Sequence, residues 1–110
     1  MKRYQLSDFK GGWFVGDFDP SILRTTGGEV AIKSYNPGDS EPAHVHRGST
    51  EITCVVMGQV YMNEMKLCPG DMVEIAPGEA VSFRAVTTAL TVVVKVPSVP
   101  GDKEVLEVGA

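Results

Sequence analysis

The sequence predicts an all-β protein, a sandwich or barrel of antiparallel strands, and three observations carry that prediction. Helical periodicity is nearly absent from its 110 residues. Short strand-like runs, most of them rich in β-branched residues, recur instead: GEVAIKSY, EITCVVMGQVYM, EMKLC, DMVEIA, AVSFRAV and ALTVVVKVP. Between them stand NPGD, CPGD, APGE and VPGD, in which proline fixes one torsion and glycine supplies the positive φ of a tight turn. Short strands spaced regularly by such turns read as a sandwich or barrel.

In chain order, residues 1–27 are aromatic but irregular (YQLSDFKGGWFVGDFDP) and read as an N-terminal arm. Trp13, Phe14 and Phe18 are expected to pack on the outside of the barrel or on a second subunit. Residues 28–100 hold the strand-like runs and form the barrel. Within them YMNEMK reads as a tight hairpin with Asn63 and Glu64 at its tip, because asparagine tolerates the positive φ required there. Residues 101–110 are charged and read as a surface tail.

Composition excludes several function classes. Hydrophobic residues make up 43% and charged residues 22%, and the net charge is −4, so the chain is an ordinary globular domain with no nucleic-acid partner expected. The apolar run in ALTVVVKVP is too short to span a membrane. The start MKRYQLSDFKGG lacks the apolar stretch of a signal peptide, which points to a cytoplasmic location. In that setting Cys54 and Cys68 are expected as reduced thiols. No phosphate-binding glycine loop and no Ser-His-Asp set is evident.

Chemistry concentrates at the two histidines. His44 and His46 are two residues apart, which on an extended chain puts both rings on one face, about 7 Å apart along the backbone. Glu51 opens the next strand after the turn at RGST. Two imidazoles and one carboxylate on one side of an ion, with open positions opposite, make a 2-His-1-carboxylate site. The spacing alone also suits a histidine pair with no ligand.

The stretch GDSEPAHVHRGSTEITCVVMG resembles the first motif of the cupin superfamily, G-x5-H-x-H-x4-E-x6-G. Gly38, His44, His46, Glu51 and Gly58 fill its fixed positions in register. The second motif, G-x5-P-x-G-x2-H-x3-N, is matched in part by GDMVEIAPGEAVSFRA. Gly70 and Gly78 fit, Ala76 stands at the proline position with Pro77 after it, and Val81 and Ala85 replace the histidine and asparagine. The resemblance implies a double-stranded β-helix, a jelly-roll-like cupin barrel of antiparallel strands. It also implies a divalent metal (Fe, Mn, Ni, Cu or Zn) held by His44, His46 and Glu51, and a homodimer joined through sheet edges and N-terminal arms. Val81 cannot ligate. By strand parity Val81, Phe83 and Ala85 share the inward face and make an apolar wall, which Thr53, Val55 and Met57 extend by sharing parity with Glu51.

The expected function is a metal-dependent enzyme acting on an unidentified small molecule, of oxygenase or sugar isomerase or epimerase type, with its catalytic residues unassigned. The alternative is a non-catalytic cupin that binds a small ligand with a weak or absent metal site. A third reading is a metal-free sugar-modifying enzyme using histidine acid–base catalysis. No Tyr, Arg or Lys is expected inward near the histidines, which favours the binding module because catalysis usually needs a further acid or base. Lys95 is expected at an edge or at the mouth with its ammonium in water, Arg84 likewise, and Glu74 and Glu79 on the outer face.

Overall fold

Four Pro-Gly turns set the path of the chain. Gly38, Gly70, Gly78 and Gly101 adopt φ of 87°, 91°, 80° and 82°. The acidic residue after each glycine donates its N–H three residues back, Asp39 to Asn36, Asp71 to Cys68, Glu79 to Ala76 and Asp102 to Val99. Proline followed by a positive-φ glycine is the pattern of a type II turn. The hairpin tip falls at Asn63, with φ of 54°, and pairs Met62 with Met65.

The computed structural model describes residues 1–106, and two five-stranded antiparallel sheets pack face to face in it. The first sheet runs β1 (Trp13–Val15), β2 (Glu29–Tyr35), β9 (Ala89–Val96), β4 (Thr50–Met57), β7 (Met72–Ile75). The second runs β10 (Lys103–Val105), β3 (Ser40–His46), β8 (Val81–Ala85), β5 (Val60–Met62), β6 (Met65–Leu67). From β2 to β5, and again from β7 to β10, each step carries the chain to the other sheet. That winding is a double-stranded β-helix.

The stretch read as an arm supplies β1, which pairs with β2 at the edge of the first sheet. The stretch read as a tail supplies β10, which pairs Lys103, Glu104 and Val105 with His46, Val45 and His44. Residues 107–110 of that tail lie outside the described residues. No helix among the described residues is long and apolar enough to cross a membrane. Cys54 and Cys68 are both free.

The interior divides into two ends. At one end Val55, Val60, Met62, Leu67, Ile75, Val81, Phe83, Ala85 and Ala89 form the apolar core. At the other the first sheet turns polar side chains inward. β2 directs Glu29, Lys33 and Tyr35 to the cavity, β9 directs Thr91 and Lys95, and β4 directs Glu51 and Thr53. The alternate positions on the outside are Val30, Ile32 and Ser34, then Leu90, Val92, Val94 and Val96, then Thr50, Ile52, Cys54 and Val56, most of them apolar. This reverses the usual apolar-in, polar-out alternation of an antiparallel sheet.

Two motif glycines with nearly the same torsion separate strain from crowding. At Gly38, with φ of 87°, an added Cβ meets nothing within 4 Å. At Gly58, with φ of 85°, it would strike the carbonyl oxygen of Thr88 and the Cα of Ala89. Gly38→Ala should therefore cost only the left-handed penalty of about 1–2 kcal/mol. Gly58→Ala should cost clearly more, because backbone must move. Equilibrium denaturation of the two variants checks the order, and equal losses would contradict it.

Candidate functional site

The register of β3 places the two histidines. His44 pairs with Val81 of β8 and with Val105 of β10, and His46 pairs with Lys103. Both are buried, at 4% and 8% exposure, and their rings meet edge to face at 5.3 Å between centroids. His44 Nδ1 lies 2.8 Å from the Pro42 carbonyl oxygen. A carbonyl can only accept, so Nδ1 carries the hydrogen and Nε2 of the neutral ring keeps its lone pair. His46 Nδ1 lies 3.0 Å from Asp102 Oδ1, and its Nε2 lies 3.4 Å from Glu51 Oε1. The second oxygen of Glu51 accepts from the Thr53 hydroxyl at 3.0 Å.

The charges at this end are paired. The hydrogen bond with Glu51 raises the His46 pKa, against burial, and Asp102 adds to the rise. Burial on its own would raise the Glu51 carboxyl, but the bonds from His46 and Thr53 outweigh it and hold it below 4.5. Lys95 Nζ stands 3.0 Å from Asp102 Oδ1 and 3.9 Å from Glu29 Oε2, with its side chain 6% exposed. Across the cavity Lys33 Nζ donates to Glu41 Oε1 at 2.8 Å. Burial raises the Tyr35 phenol, although the neighbouring Lys33 ammonium opposes it. The enclosed space is about 200 Å³, with Trp13 on its wall and the Lys95 ammonium 5.9 Å from the indole.

Asp102 reaches this network because its turn is built differently from the other three. In those, the acidic side chain bonds back to the first N–H of its own turn: Asp39 to Asn36, Asp71 to Cys68 and Glu79 to Ala76. In the fourth, Glu29 Oε2 accepts from the Val99 N–H at 3.1 Å. Asp102 is thereby released and turns to His46, Lys95 and the Gly48 N–H.

No protein-family model matches the sequence, and no curated protein matches it significantly. Solved structures do. An uncharacterized conserved protein with a double-stranded β-helix domain from Klebsiella pneumoniae superposes with a TM-score of 0.70 at 18% identity, covering 97% of this chain and 98% of that one. The fold is that of a cupin. KdgF from Halomonas sp. gives a TM-score of 0.64 at 19% identity over 71% of this chain and 77% of its own. The DMSP lyase DddQ from Ruegeria pomeroyi gives 0.71 at 16% identity, over 84% of this chain and 49% of that longer one.

The cupin barrel brings His44, His46 and Glu51 to one cavity, with Thr53, Val81 and Phe83 on its wall. Among the described residues, no three His, Cys, Asp or Glu side chains are gathered as around a metal ion. Val55 and Ala85, expected as lining, are instead completely buried in the apolar core. Met57 is 49% exposed and points away, because the register of β4 against β9 shifts between Val55 and Met57 and breaks the alternation. Glu74, Glu79 and Arg84 are exposed as expected.

Three expectations are corrected. Lys95 is not at an edge with its ammonium in water; it lies inward on a strand flanked by β2 and β4, and carboxylates pair it. Trp13 lines the cavity rather than the barrel's outside. The interior near the histidines does hold Lys and Tyr side chains, namely Lys33, Tyr35 and Lys95. The polar parity of Glu29, Lys33 and Tyr35 in EVAIKSY was the available sequence signal. It is masked by Val30 and Ile32, which look like the buried set.

Burial would raise the Asp102 carboxyl, but the bonds from Lys95 and His46 outweigh it and bring it down to about 2 from 3.8. A carboxyl lowered by folding stabilises the fold above its unfolded value, and that contribution vanishes as pH falls through the folded value. The metal-free protein should thus lose stability between 3.8 and about 2. Asp102→Asn should lose less across that window. Denaturation midpoints against pH compare the two, and parallel curves would refute the assignment.

Proposed function

We propose that this cupin is a metal-dependent enzyme acting on a small polar molecule, with a divalent ion held by His44, His46 and Glu51. One observation carries the reading: both imidazoles are held from behind through Nδ1, by the Pro42 carbonyl and by Asp102. That leaves as donors to the cavity the two Nε2 atoms, from β3 of the second sheet, and the Glu51 carboxylate, from β4 of the first. Carboxylates and carbonyls behind ligating histidines fix ring orientation and raise ligand basicity. The donor set suits a first-row divalent ion. A bound ion would take the place of the proton that His46 shares with Glu51.

The ion would supply Lewis acidity or an oxygen-binding centre. The chain's own residues would do the rest. Val81, which offers no donor atom, would leave the ion's remaining positions to a small-molecule ligand. Tyr35, its phenol kept protonated by burial, is a candidate proton donor, and the Lys33–Glu41 pair beside it would orient a ligand hydroxyl or carbonyl. The hydroxyl of Thr91 lines the cavity, is completely buried and has no partner among the described residues. Buried hydroxyls without partners are rare, and a bound ligand would satisfy this one. Neighbouring structures bearing enzyme names do not transfer their activities, since one fold hosts many chemistries.

A metal-free ligand-binding barrel is the competing reading, favoured by the direct His46–Glu51 contact of 3.4 Å. Elemental analysis of protein purified without a histidine tag decides between them. About one ion per chain is expected, lost in His44→Ala and Glu51→Ala. Asp102→Ala should retain the site but weaken it roughly 10- to 100-fold. Val81→His, next to His44 in register, should tighten binding. Protein that stays metal-free after loading with Fe, Mn, Ni, Cu and Zn would end the proposal.

A further inference from the structure

The cavity has a second polar end, away from the histidines. Lys33 of β2 stands directly opposite Thr91 of β9, and Tyr35 follows on the same face of β2. That row lies four residues along both strands from the row of Glu29, Lys95 and Glu51, about 13 Å of extended chain. Val93 stands between the two rows, with Met62 and Phe83 also on the wall. Hydrogen-bond donors are in excess at this second end. The Lys33 ammonium has three protons and gives one to Glu41 Oε1 at 2.8 Å. The Thr91 hydroxyl is completely buried and has no partner among the described residues. The Tyr35 phenol, kept neutral by burial, has a proton of its own to give. Of these side chains Glu41 alone is purely an acceptor, and one of its oxygens is taken.

We infer that this end is a carboxylate subsite: Lys33, Tyr35 and Thr91 hold the carboxylate of a short organic acid, whose other end points at the histidines. A cluster of donors selects an acceptor, and an ionised one above all, since charge-assisted hydrogen bonds are about twice as strong as neutral ones. Glu41 does not forbid a second carboxylate at Lys33. The same chain sets the Lys95 ammonium between Asp102 and Glu29, at 3.0 and 3.9 Å. Charge balance also favours an anion. Four carboxylates and three ammoniums line the cavity, so a divalent ion would leave one positive charge for one carboxylate to cancel. Size keeps the acid short, because about 200 Å³ is the room of roughly seven water molecules at ~30 Å³ each. The placing of the ligand's far end rests on the metal site proposed above. The carboxylate end does not, since its side chains are present with or without an ion.

Titration with butanoate and with butanamide, followed by backbone amide NMR shifts, tests the inference. Butanoate should bind, and butanamide, of the same shape without the charge, should bind at least about tenfold more weakly. Lys33→Gln, which can still bond Glu41, and Thr91→Val should each weaken butanoate binding about tenfold or more. Circular dichroism reports that both variants are folded. Without ligand, Thr91→Val should melt no lower than the wild type, because it removes a buried hydroxyl that has no bond to lose. A threonine that served only the fold would behave the other way, so a clear fall in melting temperature overturns the inference. So does butanoate binding that needs a bound ion yet ignores both variants, since the carboxylate would then sit on the ion. Absence of butanoate binding to both the metal-loaded and the metal-free protein overturns it as well. A chain that takes up no metal ends the metal site alone; butanoate binding to that chain, lost in both variants, upholds the subsite.

Discussion

Burying charge inside a small barrel is the constraint on which the rest of this structure depends. Glu29, Glu51, Lys95 and the two histidines are each less than a tenth exposed, in a chain too small to conceal them behind several layers. A buried charge without a partner costs several kcal/mol, so each must find one. Lys95 stands between Asp102 and Glu29, His46 between Asp102 and Glu51, and Lys33 against Glu41. The pairs come from both sheets and from the turn that precedes β10. The polar end of the barrel therefore also ties its strands and the C-terminal turn to its cavity.

The same constraint reaches the surface. A sheet has two faces, and three central strands have given many of their inward positions to Glu, Lys, Tyr and Thr, beside Ala31, Val55, Ala89 and Val93. The apolar residues that would ordinarily fill a core stand on the other side of those strands. The opposite end of the barrel keeps a conventional core around Val55, Val60 and Phe83. Site and surface are thus one design problem: polarity needed inside moves hydrophobicity outside.

Most of the fold was legible because its signals are local. Pro-Gly turns and β-branched runs act within a few residues, and the hairpin at Asn63 follows from one residue's tolerance of positive φ. The histidine pair was legible for the same reason, since parity along one strand puts His44 and His46 together. Met57 shows the limit of parity, because one shift of register against β9 turns it outward. Lys95 shows another. In ALTVVVKVP a lone lysine looks like an edge residue, and only its partners make the inward position tolerable.

The sequence by itself determined the strands, the turns and the placing of His44 and His46 on one face, which follow from torsional preferences and two-residue periodicity. The cupin winding and the nearness of Glu51 were legible through the resemblance of the motif spacing. Only the tertiary structure decided that Asp102 would reach His46, 56 positions away. The sequence Val-Pro-Gly-Asp looks like the chain's other turns, and its acid would be expected to cap its own first N–H. Glu29 takes that N–H instead, because β2 and the segment after β9 lie side by side, and Asp102 is freed for the site. Such an exchange of hydrogen-bond partners depends on three segments meeting, and no local pattern records it.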